Sequence, residues 1–168
     1  MGIKNTKIGD IFEVKVTENS RKFFQFIAND VTQLNSNVIR AFKKEYSSEV
    51  YPELSEVIND NVDFYAHCII KLGLKMALWD KIGNFSDIGN LDDVLFRRTS
   101  DYGTKVGVEP VRVSFNWDIW KINDPGFTKI GKLEGKNRDA EIGIVVNPYD
   151  IKERIVTGKY NFSYPDYI

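Results

Sequence analysis

The sequence predicts an α+β fold of curled antiparallel β-sheets, in small-barrel-like meanders, with a short helix near 52–59 and a C-terminal helix near 148–157. Three observations predict it. Apolar and polar residues alternate with the two-residue period of a half-buried strand in "IFEVKV" (11–16), "VDFYAHCII" (62–70) and "WDIWKI" (117–122). A helical spacing interrupts that alternation in "YPELSEVIND" (51–60). Complete helix punctuation surrounds "NPYDIKERIVTGKY" (147–160).

The first half reads as a meander. In "IFEVKV", Phe12, Val14 and Val16 fall on one face and Ile11, Glu13 and Lys15 on the other. A polar turn at Asn19–Arg21 leads into "KFFQFIA", and "NDVTQLNSN" is a polar loop before the third run, "VIRAFKKEY". In the next segment Leu54, Val57 and Ile58 recur at i, i+3 and i+4, with Pro52 in the first turn, so a two-turn helix is expected. "VDFYAHCII" and "MALWDKIGN" are the following strands. Residues 85–108 carry glycines, aspartates and the pair Arg97-Arg98 with poor periodicity, and read as the join between two β-meander halves, about 1–84 and 109–168, of a single domain.

The second half offers "VRVSF", "WDIWKI", "FTKIGKL" and "EIGIVV" as strands, with "NDPG" (123–126) as a turn. In the terminal helix Asn147 is the N-cap, Pro148 the first helical residue, Asp150 the first-turn acid and Gly158 the exit. Ile151 and Ile155 form its buried stripe, with Lys152, Glu153 and Arg154 outside. "TKIGD" (6–10), "DKIGN" (80–84) and "TKIGK" (128–132) share Lys-Ile-Gly, which either turn chemistry or a duplicated motif explains.

Composition narrows the function. A chain of 168 residues with 42% hydrophobic residues can bury a core without metals or disulfides. The 23 basic and 24 acidic residues give a net charge of −1, so no field draws in nucleic acid. Cys68 is the single cysteine, and neither an apolar leader nor a membrane-spanning run is present, so the expectation is a cytoplasmic protein without a membrane partner. The opening also fits a myristoylation pattern through Gly2 and Thr6, a short motif that arises often by chance.

No catalytic or cofactor motif stands out: phosphate loops, H-E-x-x-H and G-x-S-x-G are all missing, and no cofactor or metal is expected. His67 and Cys68 are adjacent on a strand and point to opposite faces, which rules them out as a nucleophile–base pair. Asp63, Tyr65 and His67 share one strand face and could help ligate a metal, orient a substrate or bind a partner, the ordinary reading being a solvated or hydrogen-bonded strand face. Acid–base work by Asp92-Asp93 or by Glu134, Asp139 and Glu141 would need a burial that their polar surroundings do not predict.

The order "IGDIFEV", "FFQFIAND", "VIRAFKKEY", "ELSEVI", "DFYAHCII", "LWDKIGN" resembles the immunity protein 26 family of bacterial polymorphic-toxin systems. The opening Gly-Asp-x-Phe strand is matched by Gly9, Asp10 and Phe12, and the later Trp-x-x-Ile/Val-Gly segment by Trp79, Ile82 and Gly83. The resemblance covers roughly residues 7–98; the long second half departs from the pattern. It implies a stoichiometric protein that masks a cognate toxin, with no catalytic residue, and an unassigned enzymatic or small-molecule-binding domain is the alternative.

Trp117 and Trp120 stand three apart in an alternating strand, so they face opposite ways. Trp117 goes with Ile119 and Trp120 with Ile122, so protein covering both faces is the first reading; a partner-binding tryptophan is the second and a base- or sugar-stacking platform the last. In the tail, Tyr160, Phe162 and Tyr164 alternate, and burial of their area favours a strap packed back on the domain over a partner-facing strand.

Overall fold

Strands that are apolar on both faces need two coverings, and the architecture supplies them. In the computed structural model, which describes residues 5–168, eleven strands form two sheets, accompanied by three short α-helices. Gly2, and with it the acylation pattern, lies outside the described residues. Neither sheet closes into a barrel.

The larger sheet is built on the expected meander of β1 (Asp10–Thr17), β2 (Ser20–Asp30) and β3 (Ser36–Phe42). The short β4 (Tyr46–Ser47) returns to the start of β2. β5 (Val62–Cys68) pairs antiparallel with β3, and β6 (Asp80–Asn84) closes the opposite edge against β1. The second sheet is a meander of β7 (Leu95–Thr99), β8 (Trp117–Lys121) and β9 (Thr128–Gly131). β10 (Glu141–Ile142) adds parallel to β7, and only three residues later β11 (Val145–Val146) adds parallel to β5. One short segment therefore stitches the two sheets together.

Alternation distributes the core. Phe12, Val14, Phe24, Phe26, Ile39, Ala41, Phe64, Ala66 and Cys68 share one face of the large sheet, under α2 (Ile70–Lys75), α3 (Pro148–Thr157) and the tail. On the other face Ile11, Phe23 and Phe42 meet α1 (Leu54–Ile58), while Ile27, Ala28 and Val38 meet Val94, Phe96 and Trp120 of the second sheet. Between these two apolar zones lies a buried polar pair. Gln25 Nε2 donates to the Phe85 carbonyl at 2.9 Å, and Arg40 donates through Nε to Gln25 Oε1 at 2.9 Å and through Nη2 to the Asp87 carbonyl at 3.0 Å. These bonds hold the chain as it crosses from one sheet to the other, satisfying backbone groups that burial would otherwise strand.

Several expectations are corrected. Residues 85–108 are not merely a join, because β7 lies within them and is an inner strand of the second sheet, and β11, from beyond residue 109, pairs in the first, so the second half contributes a strand to the first sheet. β7 escapes the alternation test because Arg97 lies over the Trp117 ring and Arg98 over the Phe127 ring, so charged residues cover aromatic surface. "VRVSF" is not a strand; Val113 alone makes an isolated bridge, parallel, to Asp166. "MALWDKIGN" is strand only from Asp80, and Ile70, expected to end the preceding strand, opens a helix over Ile70–Lys75. That helix depends on Gly73, where a Cβ would lie 1.8 Å from the Trp79 ring, and a mid-helix glycine disguises the helix in the sequence. Pro52 precedes the Glu53 cap position rather than entering α1. The three Lys-Ile-Gly segments are not equivalent: Gly9 has positive φ in a turn, Gly131 has positive φ as the last residue of β9, and Gly83 sits inside β6.

α3 matches its punctuation: Asn147 accepts from the Tyr149 N–H at 2.9 Å and Gly158 leaves the helix at φ 87°. Arg154, expected outside, is mostly buried, paired with Glu141 of β10 at 3.1 Å and stacked 4.1 Å from the Phe64 ring centre. Burial raises the Glu141 pKa despite that partner.

Candidate functional site

Asp30 is the focus of the joint between the sheets. In an unbroken strand it would share a face with Phe24 and Phe26. A bulge between Phe26 and Ala28 shifts the register by one residue, and Asp30 turns with Ala28 toward the second sheet. The displaced carboxylate is fully buried and accepts four hydrogen bonds. Oδ2 takes the Trp120 indole N–H at 2.9 Å and contacts His67 Nε2 at 2.7 Å; Oδ1 takes the backbone N–H groups of Asn123 at 2.9 Å and Thr32 at 3.1 Å.

Burial by itself would raise the Asp30 pKa. The bonds from His67, the Asn123 N–H and Trp120 outweigh that effect and hold the carboxyl well below its usual range. An ionised carboxylate can only accept, so His67 donates through Nε2, while its Nδ1 is buried with no hydrogen-bond partner. The imidazole lies 4.1 Å from the Phe96 ring centre, and Trp120 sits edge-on to Phe127 at 4.7 Å. Gly143 makes room for the indole: a Cβ there would lie 2.2 Å from Trp120 Cη2.

Above this buried centre the chain makes a tight turn, Val31–Gln33 in 3-10 conformation followed by Leu34 at φ 57° and Asn35 at φ 52°. The turn is tied to the second sheet at three further points. Val31 N–H donates to Asn123 Oδ1 at 2.7 Å, Thr32 Oγ1 to the Asp124 carbonyl at 2.5 Å, and Gln33 Nε2 to the Gly143 carbonyl at 2.6 Å. Left-handed backbone is costly for leucine, by about 1–2 kcal/mol. Leu34 nevertheless adopts it and leaves its side chain 84% exposed, beside Val31 at 71%. The fixed turn therefore presents two apolar side chains to solvent on a backbone that burial of those side chains does not stabilise.

The residues singled out in the sequence fall differently. His67, Trp117 and Trp120 are buried at 1% exposure or less, so none lies on a surface that a partner can reach. The first reading of the tryptophan pair is the correct one, with a different cover for each ring. Trp117 donates its indole N–H to the Ser114 carbonyl at 2.8 Å under Arg97 and Tyr164, while Trp120 serves Asp30. Tyr65 and His67 share the face covered by the second sheet, and Asp63 is half-exposed on β5. Asp30, Leu34 and Asn123 went unmarked in the sequence. An aspartate capping its own turn at Thr32 is a local signal, but bonds spanning 90 and 93 residues have none.

Among the described residues, no cluster of three histidine, cysteine or acidic side chains is arranged to hold a metal, and no helix is long and apolar enough to cross a membrane. No family model, curated protein or solved structure matches the chain.

Proposed function

We propose that the protein is a stoichiometric, immunity-type inhibitor that binds a cognate bacterial toxin in the cytoplasm, with the Val31–Asn35 turn as its contact. Leu34 carries the reading: an exposed leucine on left-handed backbone, fixed from beneath by a fully buried carboxylate. A preorganised turn loses little conformational entropy on binding, and its apolar tips gain by entering a partner's surface. The pattern resemblance of residues 7–98 to toxin-immunity proteins supports the choice of partner, and the balanced charge argues against a polyanion. The alternative, a small-molecule or enzymatic site on Asp63, Tyr65 and His67, is disfavoured because His67 is sealed between the sheets.

The test is co-expression with a toxin encoded immediately upstream. The expected results are restored growth and a purified one-to-one complex, with Leu34→Asp weakening the complex at least about tenfold, or about 1.4 kcal/mol, with no fall in the urea midpoint. If the toxin binds the Leu34→Asp variant as tightly as the parent, the contact is elsewhere. If no complex forms at all, the inhibitor reading fails.

A further inference from the structure

A second exposed apolar element lies at the opposite end of β7 and β8 from the Asp30 turn. The chain from Tyr102 to Phe115 leaves Tyr102, Val106, Val108, Val111 and Phe115 exposed, Val106 completely so. Its root is fixed. Ser114, 1% exposed, shares a 2.6 Å hydrogen bond with Thr99 Oγ1 and donates to Asp101 Oδ2 at 2.7 Å. The tail clamps the other side, with Ser114 N–H donating to the Asp166 carbonyl and Asp166 N–H to the Arg112 carbonyl, both at 2.8 Å.

The tip is a turn closed by the Val108 N–H donating to the Lys105 carbonyl at 3.0 Å, with Gly107 at φ 77°. Its sequence, "KVGVE" (105–109), is antisymmetric about Gly107: lysine and valine on one side, valine and glutamate on the other. Lys105 and Glu109 are exposed and form no ion pair among the described residues. A Cβ on Gly107 would meet nothing within 4 Å, so a second backbone has room to approach there.

We propose that this loop associates with the same loop of a second copy of the chain, about a twofold axis at Gly107. A twofold contact repeats every pairing in both directions, so Lys105 set against Glu109 of the other copy is matched by Glu109 against Lys105, and Val106 against Val108 likewise. The pattern is thus complementary to itself in charge and in apolar character. Asp101, Lys105, Glu109 and Arg112 sum to zero, which gives an anionic membrane nothing to attract. The contact is small, so the dimer is reversible and concentration-dependent. It uses a surface separate from the Leu34 turn and stands independently of the inhibitor reading.

Sedimentation of the purified chain tests the proposal. The weight-average mass is expected to rise from 19.3 kDa toward twice that value as concentration increases. Lys105→Glu and Glu109→Lys should each hold the protein monomeric, since each sets like charges against one another twice. The double variant Lys105→Glu/Glu109→Lys should restore the dimer, because it exchanges the charges and keeps their complementarity. A chain that stays monomeric up to about 1 mM, single variants that dimerise like the parent, or a double variant that fails to recover would each overturn the proposal. All three variants alter only exposed side chains, and matching urea midpoints confirm that they fold.

Discussion

Asp30 and Trp120, 90 positions apart, meet at 2.9 Å through a carboxylate oxygen and an indole N–H, and this bond joins the two sheets at their buried centre. Replacing Asp30 with alanine leaves the Trp120 and His67 donors and two backbone N–H groups unpaired in the interior. Breaking a buried charged network from one side costs about 3–5 kcal/mol. Urea unfolding of Asp30→Ala should show that loss; a midpoint within error of the parent would mean the joint does not depend on it.

The same carboxylate sets a pH dependence. Its folded pKa lies below the ordinary 3.8, so the unfolded chain takes up a proton first as the solution is acidified. The stability it contributes is complete above the unfolded value and drains away as pH falls through the folded one. The difference in unfolding free energy between the parent and Asp30→Asn should therefore stay level from about pH 7 to about pH 5 and shrink below about pH 4. A gap that grows on acidification would reverse the assignment.

Leu34 should trade stability against binding. Asparagine tolerates left-handed backbone better than leucine, and Leu34 buries little. Leu34→Asn is expected to raise the unfolding free energy by about 0.5–1 kcal/mol while weakening the toxin complex. A variant that is less stable than the parent would show that the leucine side chain supports the fold.

The tail should behave as a strap. Tyr160 and Phe162 stack at 4.7 Å against the helix-side core, and Tyr164 reaches Tyr102 at 4.6 Å and Trp117 at 6.1 Å. Deleting residues 161–168 uncovers Trp117 and removes two backbone bonds to the 112–114 segment. We expect a loss of about 3–6 kcal/mol and a fall in Tm of about 10 °C or more. Thermal unfolding at the parent's temperature would instead make the tail dispensable to the fold.

Cys68 should be silent toward thiol reagents. It is fully buried, and burial pushes its thiol pKa far above the ordinary value. Its modification rate should follow global unfolding across a urea series; rapid labelling in buffer alone would reveal local opening of β5.

What was legible in the sequence is what depends on near neighbours. Two-residue alternation marked β1, β5 and β8, apolar runs between polar loops marked β2 and β3, and α3 was readable from Asn147, Pro148 and Gly158 because caps act over single turns. The alternation also separated His67 from Cys68 and Trp117 from Trp120, and the weight of aromatic side chains marked the tail as a strap. The sequence by itself determined these things because each is settled within a few residues, by strand pleat, helix cap or apolar area.

Only the tertiary structure decided where Asp30 points. A bulge changes the register of everything after it, and no local pattern announces one, so an aspartate that reads as loop polarity becomes the buried joint of two sheets. β7 was hidden for a related reason, since Arg97 and Arg98 find their aromatic partners at Trp117 on β8, at Phe127 just before β9 and at Tyr167 in the tail, far along the chain. So was α2, whose glycine makes sense only against the Trp79 ring. In each case the deciding contact is made between segments that sequence leaves apart, and folding alone brings them within reach.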